Sequence, residues 1–339
     1  MVELHASWKV IENNTLADLK MNKPLRVALL GLGTVGSGTF NVLNTNASEI
    51  ERRVGFPIQI KVIADLNTEK ARELAGPGVE VLGDAFEAVK RDDIDVVVEL
   101  IGGYTIAKQL VLAAINAGKH VVTANKALLA VHGDEIFAAA EAKNVMVAFE
   151  AAVAGGIPVI KSIKEGLAAN KIEYVAGIIN GTCNFILSEM RDKGLPFADV
   201  LAQAQAFGYA EADPTFDIEG VDAAHKISLL SSLAFGVPVQ FEKAYIEGIT
   251  KLTKEDIQFA EQLGYRVKLL GIAKRTDQGI ELRVHPTLIP GKRLIANVEG
   301  VMNAVLVKAN AVGPTLYYGA GAGSLPTASA VGKLPAPAP

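Results

Sequence analysis

Between Leu25 and Glu150 the chain alternates short, almost uninterrupted apolar runs with longer segments whose apolar residues return every three or four positions. LRVALLG, IQIKVIAD, DVVVELIGG, KHVVTAN and VMVAFE are the apolar runs. A strand that is apolar on successive residues is covered on both faces, whereas TIAKQLVLAAINAG carries the helical period. This alternation predicts a doubly wound parallel sheet over residues 25–150, an α/β unit. Beyond residue 151 the rhythm changes. KIEYVAGIIN reads as a strand, helical patterns follow over 181–193, 196–208 and 220–236, and YRVKLLGIAKR and GIELRVHPTLI flank a turn at Thr276–Gly279. The pattern predicts a second, α+β domain over 151–310. Residues 311–331, with GAGAGSLPTASAV, are expected to return and pack on the first domain. Residues 1–24 read as an N-terminal extension, and 332–339, with alternating prolines, as a disordered tail.

Three glycines give the first domain a chemistry. In VALLGLGTVGSG, Gly31, Gly33 and Gly36 form G-x-G-x-x-G directly after a strand and at the opening of a helix. The first glycine turns the chain, the second admits a pyrophosphate, and the third lets helix and strand pack closely. A helix N-terminus then offers unpaired N–H donors to the anion. The domain is therefore expected to be Rossmann-type and to bind NAD or NADP. Asp65 closes the next strand run and is the candidate for the ribose hydroxyls. It lies 29 residues after Gly36 (65 − 36), against the usual ~20, so the first helix or its loop must be extended. An acid there favours NAD, while Lys70 and Arg72 stand close enough in sequence to meet a 2′-phosphate. The choice stays open.

Two lysines are candidates for catalysis. HVVTANKALLA ends a buried strand at Thr123 and delivers Asn125 and Lys126 to the carboxyl edge of the sheet, where ligands of open α/β sheets sit. A lysine opening a helix opposes the helix dipole, which favours a functional role over a merely solvated one. The second lysine follows an acidic stretch, GYAEADPTFDIEGVDAAHK. In the helix after it, Asp222 and Lys226 are four apart, with apolar residues nearly all round, so the pair is expected to be buried. Burial and an adjacent carboxylate are the two influences that tune an amine for acid–base work, although a structural Asp–Lys pair has the same spacing. Asp217 or Glu219 could cap that helix. Glu211, Asp213, Asp217 and Glu219 exceed what one lysine needs, which suggests a cationic ligand such as a substrate ammonium.

Charge and cysteine usage narrow the class. The 33 basic and 37 acidic residues give a formal net charge of −4 without runs of like charge, a poor match to nucleic acid. No run is long enough to span a membrane, and the N-terminus lacks a signal pattern, so a cytoplasmic protein is expected. The single cysteine, Cys183, precludes an intramolecular disulfide.

In order along the chain, GLGTVGSG, ELIGG, TANKALLA, EAAVAGGIPVI, GIINGTCNFIL, GYAEADPTFDIEGVDAAHK and GAGAGSLPTASAV resemble the homoserine dehydrogenase family over roughly residues 25–331. The resemblance implies NAD(P)-dependent interconversion of L-homoserine and L-aspartate 4-semialdehyde, in the biosynthesis of threonine, methionine and isoleucine. It implies Lys226 as proton donor and acceptor and Lys126 as a second lysine near cofactor and substrate. Gly208, Glu211, Asp217 and Asp222 match substrate contacts, with Glu211 on the amino group. Leu32, Thr34 and Val35 match the cofactor loop, and Gly323 a late glycine touching the cofactor. Glu150, Val153, Gly155 and Ile157 fall where the family binds a monovalent cation such as sodium, mostly through carbonyls. A homodimer through the second domain is also implied. The chain stops before the ACT-type regulatory domain of many relatives, so threonine feedback through that domain is not expected. Two alternatives are an aspartate-semialdehyde dehydrogenase with Cys183 as nucleophile, and a non-catalytic dinucleotide-sensing protein.

Overall fold

The computed structural model describes residues 23–332, so the expectations for residues 1–22 and 333–339 lie outside it. Six parallel strands form the first sheet: β1 (Leu25–Leu30), β2 (Ile58–Ala64), β3 (Glu80–Leu82), β4 (Val96–Glu99), β5 (His120–Thr123) and β6 (Val147–Ala148). Their spatial order, β3-β2-β1-β4-β5-β6, reverses direction between β1 and β4. This is the doubly wound Rossmann arrangement, with its ligand crevice at the carboxyl ends of those two strands. Helices α1 (Thr34–Thr45), α2 (Ala47–Val54), α3 (Thr68–Ala75), α4 (Ala85–Lys90), α5 (Thr105–Asn116) and α6 (Lys126–Ala142) make the connections. Val27, Leu29, Val96, Val98, Val62 and Val97 are completely buried, because helices cover both faces of the sheet. The added helix α2, ended by Gly55 in the left-handed conformation, accounts for the long interval from Gly36 to Asp65. Strand β3 was not legible as a strand: it is three residues on a sheet edge, too short to show a period. VMVAFE contributes only two strand residues before the chain turns at Glu150.

The second domain runs from the short α7 (Val159–Lys161) through β7 (Ile172–Ile178), α8 (Gly181–Lys193), α9 (Phe197–Ala206), α10 (Thr215–Ile218) and α11 (Val221–Phe235). It continues with β8 (Tyr245–Ile246), α12 (Lys254–Gln262), β9 (Tyr265–Thr276), β10 (Gly279–Pro290), β11 (Met302–Ala309) and β12 (Gly313–Ala320). Its sheet has the order β12-β11-β7-β9-β10-β8. The long hairpin of β9 and β10 turns at Asp277–Gln278, inside the expected turn. One boundary needs correction. Residues 313–320 are not part of a return segment: they form β12, paired antiparallel to β11 along its whole length. The chain returns only with α13 (Ser324–Val331), which packs on α1. Ser324 Oγ donates to the Thr34 carbonyl at 2.8 Å, and a Cβ at Gly38 would overlap Ser324.

Helices α6 and α11 pack against one another, and Leu128, Leu129 and Ile136 share one continuous core with Ile227, Leu229 and Leu230. Helix α11 lies close on the second sheet where Gly271 of β9 pairs with Gly177 of β7, and a side chain at Gly271 would press on Ile227. The two helices therefore hold their N-terminal ends side by side, one at the edge of each domain. No helix among the described residues is long and apolar enough to cross a membrane.

Candidate active site

The glycine loop follows β1 as expected, and its three glycines do three different things. Gly31 has φ +91°, and a Cβ there would meet the Leu100 carbonyl at 2.8 Å. A Cβ on Gly36 would lie 1.9 Å from the Gly31 carbonyl oxygen, so only hydrogen fits between helix and loop. At Gly33 nothing lies within 4 Å, an open approach beside the start of α1, where the Leu32-Gly33-Thr34-Val35 backbone can meet a pyrophosphate. Gly36→Ala is therefore expected to destabilise the protein in thermal unfolding. Gly33→Ala should fold normally yet lose dinucleotide affinity in a calorimetric titration.

Asp65, at the end of β2, binds the same loop from below. One carboxylate oxygen accepts the Leu32 N–H at 2.6 Å and the other the Asn67 N–H at 2.8 Å. A carboxylate has about four acceptor positions, so ribose hydroxyls would meet the two that remain.

The carboxyl edge of β4 and β5 carries a network that sequence reading passed over. Glu99, fully buried, accepts the Ile101 N–H at 2.9 Å, the Gly102 N–H at 3.1 Å and the Thr123 hydroxyl at 2.7 Å. Thr123 Oγ1 in turn accepts the Asn125 N–H at 2.9 Å. Asn125 caps α6, its Oδ1 accepting from the Leu128 N–H at 3.1 Å, while its Nδ2 donates to the Gly103 carbonyl. These bonds determine where α6 begins, and hence where Lys126, its first residue, projects.

Lys126 reaches across to the other domain, where its Nζ lies 3.2 Å from one oxygen of Asp222. Lys226, one turn along α11, donates to the other Asp222 oxygen at 2.6 Å and to the Ile179 carbonyl at 2.7 Å. The Lys226 side chain is only 12% exposed and the Lys126 side chain 33%. Burial alone would push the Asp222 carboxyl up, but the two ammonium groups and the Asn180 amide hold it down at about 2. Asp222 thus remains charged and anchors both amines.

Asn180 completes the cluster. Its Oδ1 caps α8 by accepting the Cys183 N–H at 2.8 Å, and its Nδ2 donates to Asp217 at 2.7 Å and to Asp222 at 2.9 Å. The sequence signal was an asparagine just ahead of a helical run in INGTCNF, a capping pattern whose other contacts are tertiary. Burial, and then the charge of Asp222, raise the Asp217 carboxyl above its ordinary range.

The acidic stretch is less concentrated than expected. Neither Asp217 nor Glu219 caps α11. Its N-cap is Gly220, without a side-chain bond, because Asp217 is turned to Asn180 and Glu219 to the Thr250 hydroxyl. Asp213 accepts the Thr215 N–H of its own turn. Glu211 is exposed, and its carboxylate makes no ion pair among the described residues. Gly208 lies on the same exposed loop with φ +74°, tied to the site where the Thr182 hydroxyl donates to the Tyr209 carbonyl at 2.6 Å.

Three other candidates stand apart from the lysines. Glu150 is buried, and its carboxylate oxygens accept the Ile160 and Lys161 N–H groups at 2.9 and 3.1 Å. Its side chain is therefore engaged, and the Ile157 carbonyl accepts the Val159 N–H at 2.8 Å. Gly323, φ +116°, is the N-cap of α13 beside α1 and the glycine loop. Cys183 is fully buried and its Sγ donates to the Asp217 carbonyl at 3.2 Å. Burial pushes that thiol well above its ordinary range, so it offers no thiolate for thioester chemistry.

Similarity to known proteins runs across both domains. Residues 31–150 match the family model described as the NAD binding domain of homoserine dehydrogenase, and residues 158–333 the model described as homoserine dehydrogenase. The homoserine dehydrogenase of Pseudomonas aeruginosa is 65% identical over 309 residues, which cover 91% of this chain and 71% of that protein. A crystal structure of a homoserine dehydrogenase from Thiobacillus denitrificans has a TM-score of 0.89 at 67% identity, over 91% of this chain and 72% of that one. A hyperthermophilic archaeal homoserine dehydrogenase in complex with NADPH has a TM-score of 0.77 at 25% identity, over 91% and 95%. With both domains matched in order and this level of identity, the chain belongs to the homoserine dehydrogenase family of oxidoreductases.

Proposed function

We propose that the chain interconverts L-homoserine and L-aspartate 4-semialdehyde, with Lys226 exchanging the proton at the reacting oxygen and Lys126 supporting it. The observation that carries this reading is the convergence of two lysines, one from each domain, on the single buried carboxylate of Asp222. An ammonium has three N–H groups. Asp222 and the Ile179 carbonyl take two from Lys226, which leaves one for a substrate oxygen. In reduction that N–H passes its proton to the aldehyde oxygen as the carbonyl becomes an alcohol; in oxidation the same nitrogen takes the hydroxyl proton back. A nicotinamide dinucleotide, when bound, supplies the hydride chemistry. The open approach at Gly33 suits its pyrophosphate, and a relative solved with NADPH supports a cofactor of this class. Glu211 makes no ion pair among the described residues and suits the substrate ammonium, with Asp217 and the Gly208 backbone as further substrate contacts. Asp65 favours NAD and the nearby Lys70 and Arg72 suit a 2′-phosphate, so the reading covers either dinucleotide.

The Val153 to Ile157 carbonyls would hold a monovalent cation, and the second domain would carry a homodimer contact. The product would feed the synthesis of threonine, methionine and isoleucine. The test is nicotinamide absorbance on adding L-homoserine, with NAD and NADP in turn. Substrate-dependent reduction with at least one of the two is the expected result, and the faster one identifies the preferred form. Dinucleotide binding without any homoserine-dependent reduction would leave only a sensing role.

A further inference from the structure

Phe216 is an apolar side chain left 42% exposed in the middle of the acidic stretch, on the one-turn helix α10. It contributes little to the core, yet its ring is closely confined. The Lys126 ammonium lies 5.9 Å from the ring centroid. The His225 ring also meets it, at 5.3 Å and 62°, and His225 packs in turn on Phe241 at 4.2 Å and 68°. His225 is 6% exposed, and its Nδ1 has no hydrogen-bond partner among the described residues. Its contacts with Phe216 and Phe241 are made by the ring. Burial pulls the His225 imidazole down to about 4, so at neutral pH it adds no positive charge against Lys126.

Lys126 needs such a support. It has four rotatable carbons, a 33% exposed side chain and a single ion pair at 3.2 Å, while Lys226 is enclosed by two acceptors. One contact leaves a lysine several rotamers. An aromatic ring within reach narrows that choice, since the negative face of the ring attracts the ammonium.

From this packing we infer that Phe216, braced by His225 and Phe241, is a positioning residue that holds the Lys126 amine on Asp222. The inference rests on the proposed reaction only for its kinetic readout. Phe216→Leu keeps apolar bulk and removes the ring face; Phe216→Tyr keeps the face. A cation–ring contact at an exposed site corresponds to about a 2- to 5-fold effect, so Phe216→Leu should lower kcat by that factor and Phe216→Tyr should restore it. The decisive measurement does not need turnover. With 13C-labelled lysine, the ring current of Phe216 displaces the Lys126 ε-methylene signal, which should move in Phe216→Leu and stay in place in Phe216→Tyr. An unmoved signal in the leucine variant overturns the inference whatever the kinetics show. If wild type lacks homoserine-dependent turnover but the signal moves, the proposed reaction falls and the positioning contact stands.

Discussion

Lys226→Met should lower turnover in both directions by about 10²- to 10⁴-fold, the range usual for loss of a general acid–base group, with dinucleotide affinity unchanged. The fold should survive. Asp222 keeps Lys126 at 3.2 Å and Asn180 at 2.9 Å, and the methionine chain fills the apolar channel that the lysine stem occupied. Kinetics with saturating cofactor, paired with a calorimetric titration of the dinucleotide, separate the two effects. Turnover within a few-fold of wild type would remove Lys226 from the reaction and transfer the role to Lys126.

Asp222→Ala should affect stability as well as rate. The substitution leaves two ammonium groups and one amide around a buried gap, and breaking a buried ion pair from one side costs about 3–5 kcal/mol. The pH dependence follows from the same carboxylate. Its pKa is held at about 2 in the fold, against an ordinary value of 3.8. A depressed carboxyl stabilises above its unfolded value and loses that contribution as pH falls through the folded value. The Asp222 contribution, roughly 2 kcal/mol for a shift of nearly two pH units, is thus fully present above about pH 4 and fades toward about pH 2. Thermal unfolding midpoints of wild type and Asp222→Ala should converge as pH is lowered across that window. Midpoints that stay equally far apart from pH 7 down to about 2 would show that the carboxylate charge does not support the fold.

The Lys226 and Asp222 variants also distinguish roles inside one cluster. Lys226 is expected to matter for rate much more than for folding, because its removal leaves every buried charge with a partner. Asp222 is expected to matter for both, because its carboxylate is ion-paired with both amines. A result in which the lysine variant unfolds and the aspartate variant does not would contradict the geometry that joins them.

Much of the architecture was legible because its signals are local. Strands buried on both faces read as unbroken apolar runs, and the loop from Gly31 to Gly36 carries its spacing in a single turn of chain. The Asp222–Lys226 pair was legible for the same reason, since four residues on a helix are neighbours whatever surrounds them. Strand β3 escaped because three edge residues show no period, and β12 escaped because GPTLYYGA opens on Gly-Pro at a sheet edge where none of its residues is fully buried. Asn180 and Glu99 escaped for a different cause. Their partners lie 37 and 42 residues away for Asn180, and 24 for Thr123 on Glu99, at distances along the chain where spacing carries no information.

By itself, then, the order of residues determined which helices are apolar all round, where a pyrophosphate can approach, and that one lysine shares a face with one aspartate. These follow from backbone geometry within a few residues. Only the tertiary structure decided that Lys126, a hundred residues before Lys226, shares the same carboxylate, that Asp217 serves Asn180 and not a helix cap, and that Cys183 is sealed as a thiol. The physical reason is the packing of α6 on α11: a common apolar core brings two helix starts from different domains together, and the charges at those starts then meet over the buried Asp222 carboxylate.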